Sequence, residues 1–151
     1  MSSILVVEDD FDAREMLRRR LEQQGFTVFC ATDGPAGVTI ARFKRPELIL
    51  MDIALGEMNG WDATRLIKAD PRTAGIPVIA ISGHALPSDR HNSIMVGCCD
   101  FEPKPVDFPR LVQKIKMWLE RPPSESPGSP HGDEPRVQST PGELSRRAAN
   151  R

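Results

Sequence analysis

Five short apolar runs, each followed by a longer amphipathic stretch, divide the first 120 residues. Ser3-Ile4-Leu5-Val6-Val7 is nearly continuous in apolar character, as expected of a strand covered on both faces. A helix is predicted over 11–24, with Ala13, Met16, Leu17 and Leu21 on one face, Asp10 placed to cap it and Gly25 to end it. The pattern then predicts a strand at 26–31, a helix at 35–44, a strand at 48–51 ending at Asp52, and a helix at 61–69 closed by Asp70-Pro71. It continues with a strand at 77–81, a weaker helix at 87–96, a short strand at 99–102 and a helix at 107–120. The last helix carries Phe108, Leu111, Val112, Ile115 and Leu119 at helical spacing.

Five βα units imply an α/β fold: a doubly wound parallel sheet of flavodoxin-like (βα)5 type, with strand order 2-1-3-4-5. In such sheets chemistry gathers beyond the carboxyl ends of the strands. Here those ends carry Glu8-Asp9-Asp10, Asp52, Ser82 and Lys104. Strands 1, 3, 4 and 5 would be neighbours, so the groups would converge. Clustered carboxylates repel one another and call for a hard, oxygen-loving cation such as Mg²⁺. A carboxylate can attack phosphorus, and a metal with an ammonium can neutralise a phosphoryl group.

Composition limits the extent of this domain. Residues 121–151 hold six of the 14 prolines, no aromatic, and only Val137 and Leu144 as aliphatic residues larger than Ala. Such a segment cannot bury enough apolar surface to offset chain entropy, which predicts a domain over 1–120 and a disordered tail over 121–151. The net charge of −1 offers no electrostatic reason to bind nucleic acid, and no apolar run approaches membrane-spanning length. Cys30, Cys98 and Cys99 form no CxxC pair, and the N-terminus carries no signal pattern, so a cytoplasmic location is expected. Nothing after residue 120 reads as an output domain.

Four blocks, ILVVEDD at 4–10, LILMDI at 48–53, VIAISGHA at 78–85 and GCCDFEPKP at 97–105, closely resemble those of bacterial response-regulator receiver domains, here of the stand-alone type. The separations match as well: Asp9 to Asp52 is 43 positions, Asp52 to Ser82 is 30 and Asp52 to Lys104 is 52. The resemblance implies that Asp52 is the phosphoacceptor of a two-component phosphorelay. Asp9 and Asp52 would ligate Mg²⁺ or Mn²⁺, Glu8 would act through a metal-bound water, and Ala54 would lend its backbone carbonyl. Lys104 would pair with the phosphoryl group, Lys104-Pro105 would be cis, and Ser82 and Phe101 would form the switch.

The implied phosphodonor is a histidine kinase or a His-containing phosphotransfer protein. The implied output is a protein partner at the face of the fourth helix, fifth strand and fifth helix, or else the protein is a phosphate relay or sink; a homodimer is compatible with either. The protein would catalyse its own phosphorylation and dephosphorylation without being an enzyme in the ordinary sense. A receiver-shaped adaptor that works without phosphorylation is the competing reading, and retention of every acidic and basic motif residue argues against it. Gly56 departs from the pattern, since the family usually has Pro there, and predicts a looser loop. His84 and His91 read as surface residues, and Cys98-Cys99 as packing beside the fifth strand.

Overall fold

A computed structural model of the chain describes residues 2–84 and 86–121. The predicted tail falls outside these residues, apart from Arg121. The element order is β1 (Ser3–Val7), α1 (Phe11–Gln23), β2 (Thr27–Ala31), α2 (Gly34–Lys44), β3 (Leu48–Asp52), α3 (Gly60–Ala69), β4 (Val78–Ser82), α4 (Pro87–Val96), β5 (Asp100–Pro103) and α5 (Phe108–Leu119). All strand pairs are parallel, and the order is β2-β1-β3-β4-β5.

Alternation along the strands sorts the apolar side chains onto two faces. Leu5, Val7, Ile49 and Met51 join Val38, Ala41, Ala63 and Ile67 of α2 and α3. Ile4, Val6, Leu48 and Leu50 join Leu17, Leu21, Leu111 and Ile115 of α1 and α5. The central strands are buried on both sides, which accounts for their unbroken apolar runs.

Side-chain caps set four helix starts. Asp10, Asp33, Asn59 and Asp107 accept hydrogen bonds from the backbone N–H groups of Ala13, Ala36, Asp62 and Arg110. Several predicted boundaries shift by one residue as a result: Asp107, read as helical, is the cap of α5, and α3 begins at Gly60. The fifth strand lies one residue later than expected. Gly25 and Gly97 take positive φ values of 96° and 114° where α1 and α4 end. Of the Arg18-Arg19-Arg20 run, Arg18 pairs with Glu15 and Glu22, and Arg20 lies over the Phe108 ring.

Candidate metal and phosphoryl site

The parallel register delivers the strand-end residues to one place. Glu8 and Asp9 follow β1, Asp52 and Ser82 are the last residues of β3 and β4, and Lys104 follows β5. The ladder continues past the strand ends: Ile53 N–H donates to the Ile81 carbonyl, and Lys104 N–H donates to the Ser82 carbonyl at 2.7 Å. The Lys104–Pro105 peptide is cis.

The Lys104 ammonium donates to Glu8 Oε1 at 3.0 Å and to Asp52 Oδ2 at 3.1 Å. Glu8 and Asp52 are buried, whereas Asp9 is exposed. One carboxylate oxygen from each of Glu8, Asp9 and Asp52 lies within 4.8 Å of the others, and this is the one such acidic, His or Cys cluster found among the described residues. The other Asp52 oxygen, Oδ1, accepts the Ala54 N–H at 2.9 Å, so Ala54 borders the site through its backbone. Ser82 Oγ accepts the His84 N–H.

Three carboxylates face one ammonium. Burial, and then the neighbouring Asp52 carboxylate, push the Glu8 carboxyl up to about 7. Burial works against charge on Lys104, but Glu8 and Asp52 outweigh it and hold its pKa above the usual lysine value. The surplus negative charge and all-oxygen donor set fit a hard divalent cation.

Glu8 makes metal-free stability pH-dependent. Folded protein keeps this proton to higher pH than unfolded chain, so stability falls as pH rises from about 4.5 to about 7. The expected loss is at most about 3 kcal/mol. In EDTA, the difference in unfolding free energy between wild type and Glu8→Gln should show this slope, and added Mg²⁺ should diminish it. A flat difference profile would contradict the electrostatic account.

The sequence did not disclose three supporting contacts. Arg14 donates to the Glu8 backbone carbonyl at 2.9 Å and fixes the acidic turn; its place early in the first helix, just after three acidic residues, was the available signal. Gly60 packs on β3: a Cβ there would lie 2.3 Å from the Asp52 carbonyl oxygen. On edge strand β5, Glu102 is 0% exposed and bound by Arg110 at 2.8 Å and Lys114 at 2.9 Å. Burial opposes its ionisation, yet these two cations keep its pKa below the usual value.

Phe101 is 2% exposed and packs in the α2–α3 core, with Arg90 over its ring at 5.1 Å. His84 and His91 are exposed. Cys98 is buried and Cys99 half-buried, and burial raises both thiols above the usual value. A Cβ at Gly56 would meet open space.

The response regulator receiver domain model matches residues 4–116. The chain belongs to this family. A polar-differentiation response regulator, DivK, of Brucella anthropi is 34% identical over 117 residues, spanning 78% of this chain and 95% of that protein. The receiver domain of a Pseudomonas aeruginosa sensor histidine kinase, solved with magnesium coordinated in its active-site cleft, is 32% identical with a TM-score of 0.75. That match covers 80% of this chain and 98% of the solved one. Vibrio cholerae CheY4, at 21% identity and a TM-score of 0.74 over 78% of this chain and 98% of that one, shares the fold. Receiver domains are phosphoacceptors of two-component systems and bind Mg²⁺ in an acidic site. Among the described residues, no helix is long and apolar enough to cross a membrane.

Proposed function

We propose that this receiver takes a phosphoryl group onto Asp52 from a histidine kinase or a His-containing phosphotransfer protein. The observation that carries the reading is the Lys104 ammonium bridging buried Glu8 and Asp52, with Asp9 in ligand range. Asp9 and Asp52 would hold Mg²⁺ or Mn²⁺ directly, Glu8 through a water, and Ala54 through its carbonyl. When bound, the ion supplies positive charge to the phosphoryl oxygens.

One Asp52 carboxylate oxygen attacks phosphorus in line with the donor nitrogen. The P–O bond forms as the P–N bond breaks, and the donor imidazole leaves and takes up a proton. Ala54 N–H orients the carboxylate. Lys104 then turns to the new dianion, and the Ser82 hydroxyl donates to a phosphoryl oxygen. A groove of about 290 Å³ opens onto Glu8 and Lys104 between Met16 and Leu17 on one side and Pro105 and Val106 on the other. It offers an incoming imidazole a largely apolar approach.

Phe101 and Ser82 form the switch in this reading, and output passes to a protein partner at the α4–β5–α5 face or onward as phosphate in a relay. The receiver domain ends near residue 120 in this reading. The test is incubation with acetyl phosphate followed by intact mass measurement. The reading predicts one phosphoryl group per chain with Mg²⁺ and none in EDTA. Partner binding without uptake under either condition would favour the phosphorylation-independent adaptor.

A further inference from the structure

The helices are anchored unequally. Two residues of α1 are buried, as are four each of α2, α3 and α5, but only Ser93 of α4 is. That residue is polar, and its bonding is complete: Ser93 Oγ accepts the Trp61 indole N–H at 2.9 Å and donates to the Asp89 carbonyl at 2.8 Å. Outside this point, α4 exposes Ile94 and Met95, the latter at 69%, with Leu86 exposed at its cap.

Trp61 belongs to the first turn of α3, next to Gly60. Gly60 N–H donates to the Ile53 carbonyl, and its Cα has no room to carry a side chain against the Asp52 carbonyl. This is a backbone-to-backbone approach, so a shift of the Asp52 strand end displaces the first turn of α3. A second link runs parallel to the first. Thr64 Oγ1 donates to the Gly60 carbonyl, Cys98 Sγ lies 3.9 Å from Thr64 Oγ1, and Cys98 N–H donates to the Ser93 carbonyl. Both links begin at the residue packed on Asp52 and end at Ser93.

We propose that the Trp61–Ser93 hydrogen bond is a latch that holds α4 docked, and that phosphorylation of Asp52 weakens it. This rests on the reading of Asp52 as the phosphoacceptor. α4 is a two-state element: docked through the Ser93 hydroxyl, the packing of Val96 and the contact of Arg90 with the Phe101 ring, or loosened so that its already exposed Ile94 and Met95 are presented to a partner in a different orientation. The latch lies outside the site and bonds to neither Ser82 nor Phe101, although Arg90 of the same helix lies over the Phe101 ring. A net hydrogen bond of ordinary strength makes the docked state several-fold favoured, a bias that charge rearrangement at Asp52 can overcome.

Hydrogen exchange, read by mass spectrometry on the full chain, tests this. Trp61→Phe keeps the ring and removes the N–H; Ser93→Ala removes the acceptor and serves as the second variant. In unphosphorylated protein, α4 amides of both variants should exchange about five-fold faster than wild type, with β1, β3 and β4 unchanged. Wild type carrying a stoichiometric phosphoryl group should show the same acceleration in α4, and phosphorylation should add little in Trp61→Phe. Unchanged α4 exchange in both unphosphorylated variants would overturn the latch. A full phosphorylation response in Trp61→Phe, or none in phosphorylated wild type, would overturn its coupling to Asp52. Absence of uptake, seen in the intact mass beforehand, would instead overturn the phosphoacceptor reading and the coupling with it, while variant exchange still decides whether the latch holds α4.

Discussion

Asp52→Asn is expected to lower phosphoryl uptake from acetyl phosphate by at least about 10²-fold while leaving the domain folded. The amide oxygen is a far weaker nucleophile than the carboxylate, and it lacks the charge that positions Lys104 and a divalent ion. The local geometry is preserved, because an Asn Oδ1 can still accept the Ala54 N–H that Asp52 Oδ1 accepts at 2.9 Å. Lys104 keeps Glu8 as a partner at 3.0 Å, and Glu8 loses a like-charged neighbour. The metal-free variant should therefore unfold at a urea midpoint no lower than wild type, and Mg²⁺ should stabilise it less. Intact mass after a timed incubation measures the first effect, and urea titration with and without Mg²⁺ the second. Wild-type uptake by the variant would place the acceptor elsewhere.

Gly60→Ala should destabilise the domain by about 3 kcal/mol, more than removal of most single surface contacts. The added Cβ would stand 2.3 Å from the Asp52 carbonyl oxygen and 2.7 Å from Ile53 Cα. Both are backbone atoms, at the end of β3 and in the residue that follows it, so no flexible side chain can move aside. Relief requires α3 to lift from β3, which disturbs the hydrogen bond from Gly60 N–H to the Ile53 carbonyl and the packing of Ala63 and Ile67. A lowered urea midpoint with an unchanged m-value would report this; a midpoint within error of wild type would show that the approach is looser than described.

The fold was legible because a parallel sheet writes itself plainly. β3 and β4 are buried on both faces and read as unbroken apolar runs ending in one polar residue each. The strand order and the convergence of Glu8, Asp9, Asp52, Ser82 and Lys104 followed from topology. Boundaries were less legible, since a capping Asp such as Asp107 also fits the start of the helix it precedes. Pairings between distant residues were not legible at all. Glu102 lies on an edge strand, where a charged residue ordinarily faces water; only the return of α5 brings Arg110 and Lys114 over it. Trp61 and Ser93 are 32 positions apart and carry no mutual pattern. Phe101 could be read as a switch or as packing; its ring is buried in the core beneath Arg90, which is compatible with both.

The central claim is that the phosphoryl group is carried by the carboxylate of Asp52. Borohydride reduction of the acetyl phosphate-treated, Mg²⁺-containing protein, followed by peptide mass spectrometry, tests it most directly, because an acyl phosphate is reduced to an alcohol and its aspartate becomes homoserine. The account predicts homoserine at position 52, dependent on Mg²⁺. Homoserine at Asp9 or at another acidic residue, or phosphate retained on a residue that borohydride does not reduce, would contradict it.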